Sequence, residues 1–97
     1  MRIDYQNTTL TIYFEGEVNS YNSEDVEKEI EATLKGKNIE TIKIDMEKLN
    51  YISSAGLRII VRLKQKYNDT SLIKVPNAVF EIFDMVGFQN IISIERL

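Results

Sequence analysis

Ile44-Asp45-Met46-Glu47-Lys48-Leu49-Asn50-Tyr51-Ile52-Ser53-Ser54-Ala55-Gly56-Leu57 decides how this chain is read. The spacing predicts a strand ending near Met46, a short loop, and a helix that opens at the serines. A helix start leaves backbone N–H groups without intrahelical partners and carries the positive end of the macrodipole, so an anion there gains hydrogen bonds and field energy. Ser54 stands where a phosphate would be well received. Gly56 falls in the first turn of that helix at a cost of about 1 kcal/mol relative to alanine. A bare backbone is therefore required there, either by tight internal packing or by close approach of another molecule.

Working outward, Glu40 to Met46 alternates, with Ile42, Ile44 and Met46 on one side and Thr41, Lys43 and Asp45 on the other. After the serines, a helix is expected from Ala55 or Gly56 to about Tyr67. Leu57, Ile59, Ile60, Val61 and Leu63 form its broad apolar arc, and Arg58, Arg62, Gln65 and Lys66 its polar stripe. Upstream, Arg2 to Gln6 and Thr9 to Glu15 read as a hairpin turning at Asn7-Thr8, with Gly16 ending the second strand. A helix then follows to about Lys35, with Asn22 as N-cap, Tyr21 and Val26 as a hydrophobic staple, and Val26, Ile30, Thr33 and Leu34 as its buried stripe. Gly36 stands at its C′ position. Downstream, Leu72 to Val75 is a strand and Pro76-Asn77 a stop followed by a cap. Val79, Ile82, Phe83 and Val86 mark a third helix ending at Gly87, and Ile91 to Ile94 is a last strand. The order β-β-α-β-α-β-α-β predicts one α/β domain over residues 1–97, with a mixed, mostly parallel sheet of about five strands packed with three helices.

Composition narrows the function. The chain has 97 residues, 43% hydrophobic, with five Tyr and four Phe, enough for one core without disulfide or metal staples. Twelve Lys and Arg are scattered among fifteen acids for a formal charge of -3, which disfavours direct binding to nucleic acid or to a membrane surface. Cysteine and histidine are both absent. Thiol catalysis, Cys-based metal sites and the usual general base and zinc ligand go with them. No basic-then-apolar leader or membrane-length apolar run is present, so a soluble, cytoplasmic protein is expected.

Motifs for enzymatic chemistry are missing. No lysine or carboxylate recurs in a nucleophile-elbow or serine-lysine context. Gly36-Lys37-Asn38 lacks the upstream glycine and the Ser or Thr of a Walker A loop, and no Gly-x-Gly-x-x-Gly occurs. Asp45, Glu47 and Glu17 have the chemistry of magnesium ligands, yet three scattered acids read more simply as solvated surface. No enzyme activity, cofactor or metal is expected. For the serines two readings stand side by side: an anion-accepting site, or an ordinary N-cap supplied by Ser53 or Ser54.

The run from Ile44 to Leu57, with its Ser54-x-Gly56-Leu57 core, resembles the signature of the bacterial anti-sigma factor antagonists of the STAS domain family. Phe14-Glu15-Gly16-Glu17-Val18-Asn19 is similar to that family's turn after the second strand, and Val79 to Phe88 to its third helix and exit. The likeness spans nearly the whole chain and implies a STAS-like fold. It also implies phosphorylation of Ser54, with Ser53 as rival acceptor, by a partner that is both anti-sigma factor and serine protein kinase. The unphosphorylated form would bind that partner and release a sigma factor, phosphorylation would abolish binding, and a serine phosphatase would restore it. Asn19, Tyr21, Ser53, Ser54, Ala55, Gly56, Arg58 and Arg62 are the partner-binding residues this implies, the two arginines pairing with partner acids or simply forming a solvated face.

The chain departs from the family pattern at several positions. Ser53 replaces a frequent aspartate, Asn19 another, and Ala55 a frequent serine or threonine. With Leu97 just past the last strand, the fourth helix of longer relatives is not expected, which would leave an apolar patch for a partner or another copy. The alternative from another class is a non-phosphorylated STAS module that serves as a structural part of a larger signalling assembly.

Overall fold

A computed structural model describes all residues from Met1 to Leu97. The chain opens on a hairpin of β1 (Arg2–Gln6) and β2 (Thr9–Val18), in antiparallel register from Arg2 opposite Tyr13 to Gln6 opposite Thr9. Its turn places Asn7 at a φ of 57°, a left-handed conformation that asparagine tolerates better than most residues. Three crossovers follow. Helix α1 (Ser23–Leu34) leads to β3 (Thr41–Ile52), α2 (Ser54–Lys66) to β4 (Asp69–Val75), and α3 (Asn77–Met85) with a short 3-10 turn at Phe88–Asn90 to β5 (Ser93–Arg96).

The sheet runs in the order β1-β2-β3-β4-β5, and every pairing after the hairpin is parallel. Right-handed crossovers that always step the same way lay all three helices on one face. Burial largely agrees: Leu10, Ile12, Phe14, Ile42, Ile44, Met46 and Leu72 are enclosed, whereas on the opposite face Lys43 is exposed and Thr11, Tyr13 and Ser71 are half-exposed, with Asp45 buried among polar neighbours. Ile30 and Leu34 of α1, Ile59, Ile60 and Leu63 of α2, and Val79 and Phe83 of α3 complete a core of 20 buried apolar residues. Phe83 also stacks on Phe88 with ring centroids 5.3 Å apart, tying the 3-10 turn to α3.

The predicted fold and element order are those observed, and the differences lie at element ends. β2 runs on to Val18: Gly16, at a φ of +66°, lies among irregularities of register and is not a stop. β3 continues to Ile52, so the expected loop after Met46 is strand. Glu15 pairs with Lys48, Gly16 with Leu49, Glu17 with Tyr51 and Val18 with Ile52, and the slipped register buries Leu49 and Ile52 three residues apart, which erases the alternation. Helix α1 begins after Asn22, but Asn22 makes no side-chain cap, and Tyr21 is 94% exposed, so the staple with Val26 does not form. In α1 the buried stripe is Ile30 and Leu34, with Val26 and Thr33 only half-buried.

Helix α3 starts one residue earlier than a cap at Asn77 requires. Asn77 is itself helical, and its side-chain oxygen accepts from Arg96 Nη2 at 2.8 Å. Val86, expected in the buried stripe, lies past the helix end and is 58% exposed. β4 begins earlier than read, at Asp69, and β5 later, at Ser93, because the 3-10 turn consumes the residues before it and leaves Ile91 exposed.

Candidate functional site

The C-terminal ends of the neighbouring interior strands β2 and β3 meet the first turn of α2 at one end of the sheet. The N–H of Ser53 donates to the carbonyl of Val18 at 2.8 Å, continuing the parallel ladder by one step, and the chain then turns into the helix. Ser53 is the N-cap: its backbone is extended and its Oγ accepts from the N–H of Gly56 at 3.4 Å. Ser54 is the first helical residue and is exposed, and the cap leaves its hydroxyl unused. Of the two serines, one is committed to the fold and the other faces solvent.

Gly56 is buried, and internal packing is the reason for it. A Cβ at this position would stand 2.5 Å from Cγ1 of Ile52 and 2.9 Å from Cγ1 of Val18. The first turn of α2 thus presses its backbone onto the last residues of both strands, so the implied role of Gly56 as a contact residue is not matched by any outward face. Ala55 beside it is half-buried.

Next to the serines, the connection from β2 to α1 is closed by two asparagines that hold each other. Asn19 Oδ1 accepts from the N–H of Tyr21 at 2.9 Å and of Asn22 at 3.1 Å, while Asn22 Oδ1 accepts from the N–H of Asn19 at 2.8 Å. Asn22 Nδ2 donates to the carbonyl of Glu17 at 2.9 Å, and Asn19 Nδ2 to the Glu17 carboxylate at 3.3 Å. These bonds fix a turn whose tip is the fully projecting Tyr21.

The two arginines of α2 differ. Arg62, expected to be available to partner acids, makes a bidentate pair with Glu27 of α1 at 2.6 and 2.7 Å. This bond holds the Glu27 carboxyl below its ordinary value and raises Arg62 above its own. Arg58, one turn nearer the serines, is exposed and enters none of the chain's ion pairs. Away from the serines, Glu17 and Glu47 are solvated as read from the sequence but Asp45 is not: it is buried, accepts from the N–H of Glu47 at 3.0 Å, and has Lys74 Nζ at 3.8 Å, which lies 3.7 Å from Glu47 as well. No three carboxylates converge anywhere in the chain.

The resemblance named Asn19, Tyr21 and the serines as one partner-binding set, and the structure places them just past the paired C-terminal ends of β2 and β3; Glu27 and the role of Asn22 in the turn were missed. Glu27 is a long-range partner, 35 residues from Arg62, and nothing local announces it. The reciprocal pattern Asn19-x-x-Asn22 was a readable signal for the closed turn.

Residues 1–96 match the STAS domain family. Among curated proteins, the chain is 34% identical over 84 residues to the "Putative anti-sigma factor antagonist BtrV" of Bordetella bronchiseptica, covering 82% of this chain and 72% of that protein. It is 25% identical over 92 residues to the anti-sigma-B factor antagonist of Listeria monocytogenes, covering 91% of this chain and 80% of that one. Among solved structures, unphosphorylated SpoIIAA, an anti-sigma factor antagonist, superposes with a TM-score of 0.79 at 17% identity over 96% of this chain and 85% of its own. An anti-sigma factor antagonist from Mycobacterium paratuberculosis does so with a TM-score of 0.86 at 14% identity over 99% of this chain and 84% of its own. The one-sided sheet, the glycine packed under the mouth of α2 and the match along nearly the whole sequence agree: this chain belongs to the STAS domain family.

Proposed function

We propose that the protein is an anti-sigma factor antagonist that works by partner switching, with Ser54 as its phosphorylation site. The observation that carries this reading is the division of labour between adjacent serines: Ser53 caps α2, and Ser54 faces solvent with its hydroxyl unused by the fold. The names of the relatives support the direction of the reading. In the unphosphorylated state, Ser54, Asn19, Tyr21 and Arg58 form the surface that meets an anti-sigma factor with serine kinase activity, which then lets go of its sigma factor. The kinase moves the γ-phosphoryl group of ATP to Ser54 Oγ. A P–O bond forms there as the bond to ADP breaks, and the hydroxyl proton leaves to a base of the kinase. The new group adds about -1.5 to -2 charges and excludes the partner surface it had fitted, until a serine phosphatase hydrolyses it. The protein is the substrate and ligand in this cycle and carries out no catalysis of its own.

The test is incubation with ATP and whichever kinase-type anti-sigma factor is encoded nearest its gene, followed by mass spectrometry. A phosphate on Ser54 is expected, with Ser54→Ala unmodified and permanently bound, and Ser54→Asp folded but unbound. A protein that took up no phosphate, or a Ser54→Asp variant that bound as tightly as the original, would overturn the proposal.

A further inference from the structure

We propose that a phosphate on Ser54 is gripped within the same chain by Arg58, so that phosphorylation also withdraws that cation from the partner. The inference rests on Ser54 being the acceptor and adds a second half to the switch. Ser54 is the first residue of α2 and Arg58 lies four residues on, both exposed. Residues so spaced are neighbours on a helix surface, and an anion on the N-terminal side of a cation is the better of the two orientations.

What separates Arg58 from Arg62 is prior engagement. The Arg62 fork is saturated by both oxygens of Glu27. Arg58 has no such mate, and the first turn of α2 contains no acidic residue to compete for it. Helices α1 and α2 both run back along a parallel sheet and are therefore parallel to one another. Counting one turn back on each helix from the Glu27–Arg62 pair makes Ser23 and Glu24 the α1 residues nearest in register to Arg58, and neither bonds to it. Glu24 already pairs with Lys28 at 3.2 Å and its side chain is 82% exposed, so it is a weak rival to a dianion one helical turn away on the same helix. A guanidinium offers two parallel N–H groups to two phosphoryl oxygens, a geometry an ammonium cannot match. In the unmodified protein the same fork is available to a carboxylate of the binding partner. Once the phosphate is attached it is neutralised in place, so the partner surface meets a new anion and loses a cation together.

Phosphoserine placed at position 54 by genetic encoding allows the test without any kinase. The second ionisation of the phosphate is followed by phosphorus NMR against pH in the wild type, Arg58→Gln, Arg58→Lys and Lys66→Gln. Expected is a phosphate ionisation about 0.3 pH unit lower in the wild type than in Arg58→Gln. Arg58→Lys should retain part of that shift, and Lys66→Gln all of it. The Arg58 Nε–H resonance should move on phosphorylation. Superposable titrations of the wild type and Arg58→Gln would overturn the inference. Absence of phosphate from Ser54 after treatment with the kinase would instead sink the assignment of the acceptor, and the two failures are read in separate experiments.

Discussion

Gly56 is held beneath Ile52 so closely that a methyl group on it would stand 2.5 Å from the Ile52 Cγ1. Alanine at this position gains up to about 1 kcal/mol of helix propensity. It must also push α2 off the ends of β2 and β3, and overpacking of this kind costs about 1–3 kcal/mol. Gly56→Ala is expected to lose about 1 kcal/mol net in urea denaturation, with a melting temperature roughly 4–8 °C lower. Ile52→Ala combined with Gly56→Ala should cost less than the sum of the two single changes, since the truncated side chain no longer meets the added methyl.

The adjacent serines should respond in opposite ways to removal of a hydroxyl. Ser53→Ala strips the cap from α2 and is expected to cost about 0.5–1 kcal/mol, at the low end for caps because the bond to Gly56 is 3.4 Å long. Ser54→Ala should leave stability within about 0.5 kcal/mol of the original. Thermal melts of the two variants side by side check the pair.

Tyr21 and Asn22 separate presentation from contact. Asn22→Ala removes both bonds that its amide makes to Asn19 and Glu17, and it should destabilise the protein by about 1–2 kcal/mol. Tyr21 is 94% exposed, so Tyr21→Ala should leave the melting temperature unchanged. Its effect is expected on association with the kinase-type partner, weakened by roughly 30-fold or more, the loss typical of an aromatic anchor. Titration calorimetry measures that loss.

The Glu27–Arg62 pair gives stability a pH dependence of known sign. Arg62 holds Glu27 below its ordinary value of 4.5 in the folded chain. A carboxyl depressed on folding contributes stability that is fully present above the unfolded value and is lost as pH falls through the folded one. The wild type should therefore exceed Glu27→Gln by about 0.5 kcal/mol at pH 7, a small figure because the Arg62 side chain is 52% exposed. That gap should close as the pH is taken well below 4.5, and shrink in concentrated salt. Urea midpoints across pH test both.

Where local pattern and tertiary contact agreed, the sequence was legible. The alternation of Ile42, Ile44 and Met46 and the arc of Ile59, Ile60 and Leu63 reported buried faces directly. The second half of β3 was not readable, because its register against β2 slips twice and the buried residues Leu49 and Ile52 fall out of step. Pairing across a sheet carries no mark in either strand alone. At the site, the spacing Ser54-x-Gly56 was visible, but which of two serines caps the helix depends on the backbone angle at Ser53. The fate of Arg62 was likewise invisible, since its mate belongs to another helix.

All three helices lie on one side of the sheet, and the other side carries none. Lys43 of the central strand β3 is exposed there, and the chain contains no cysteine. A Lys43→Cys variant would thus carry a single thiol for a biotin or a dye on the reverse of the molecule. Fixed to a sensor chip by that handle, every copy would present the mouth of α2 outward to the flowing solution.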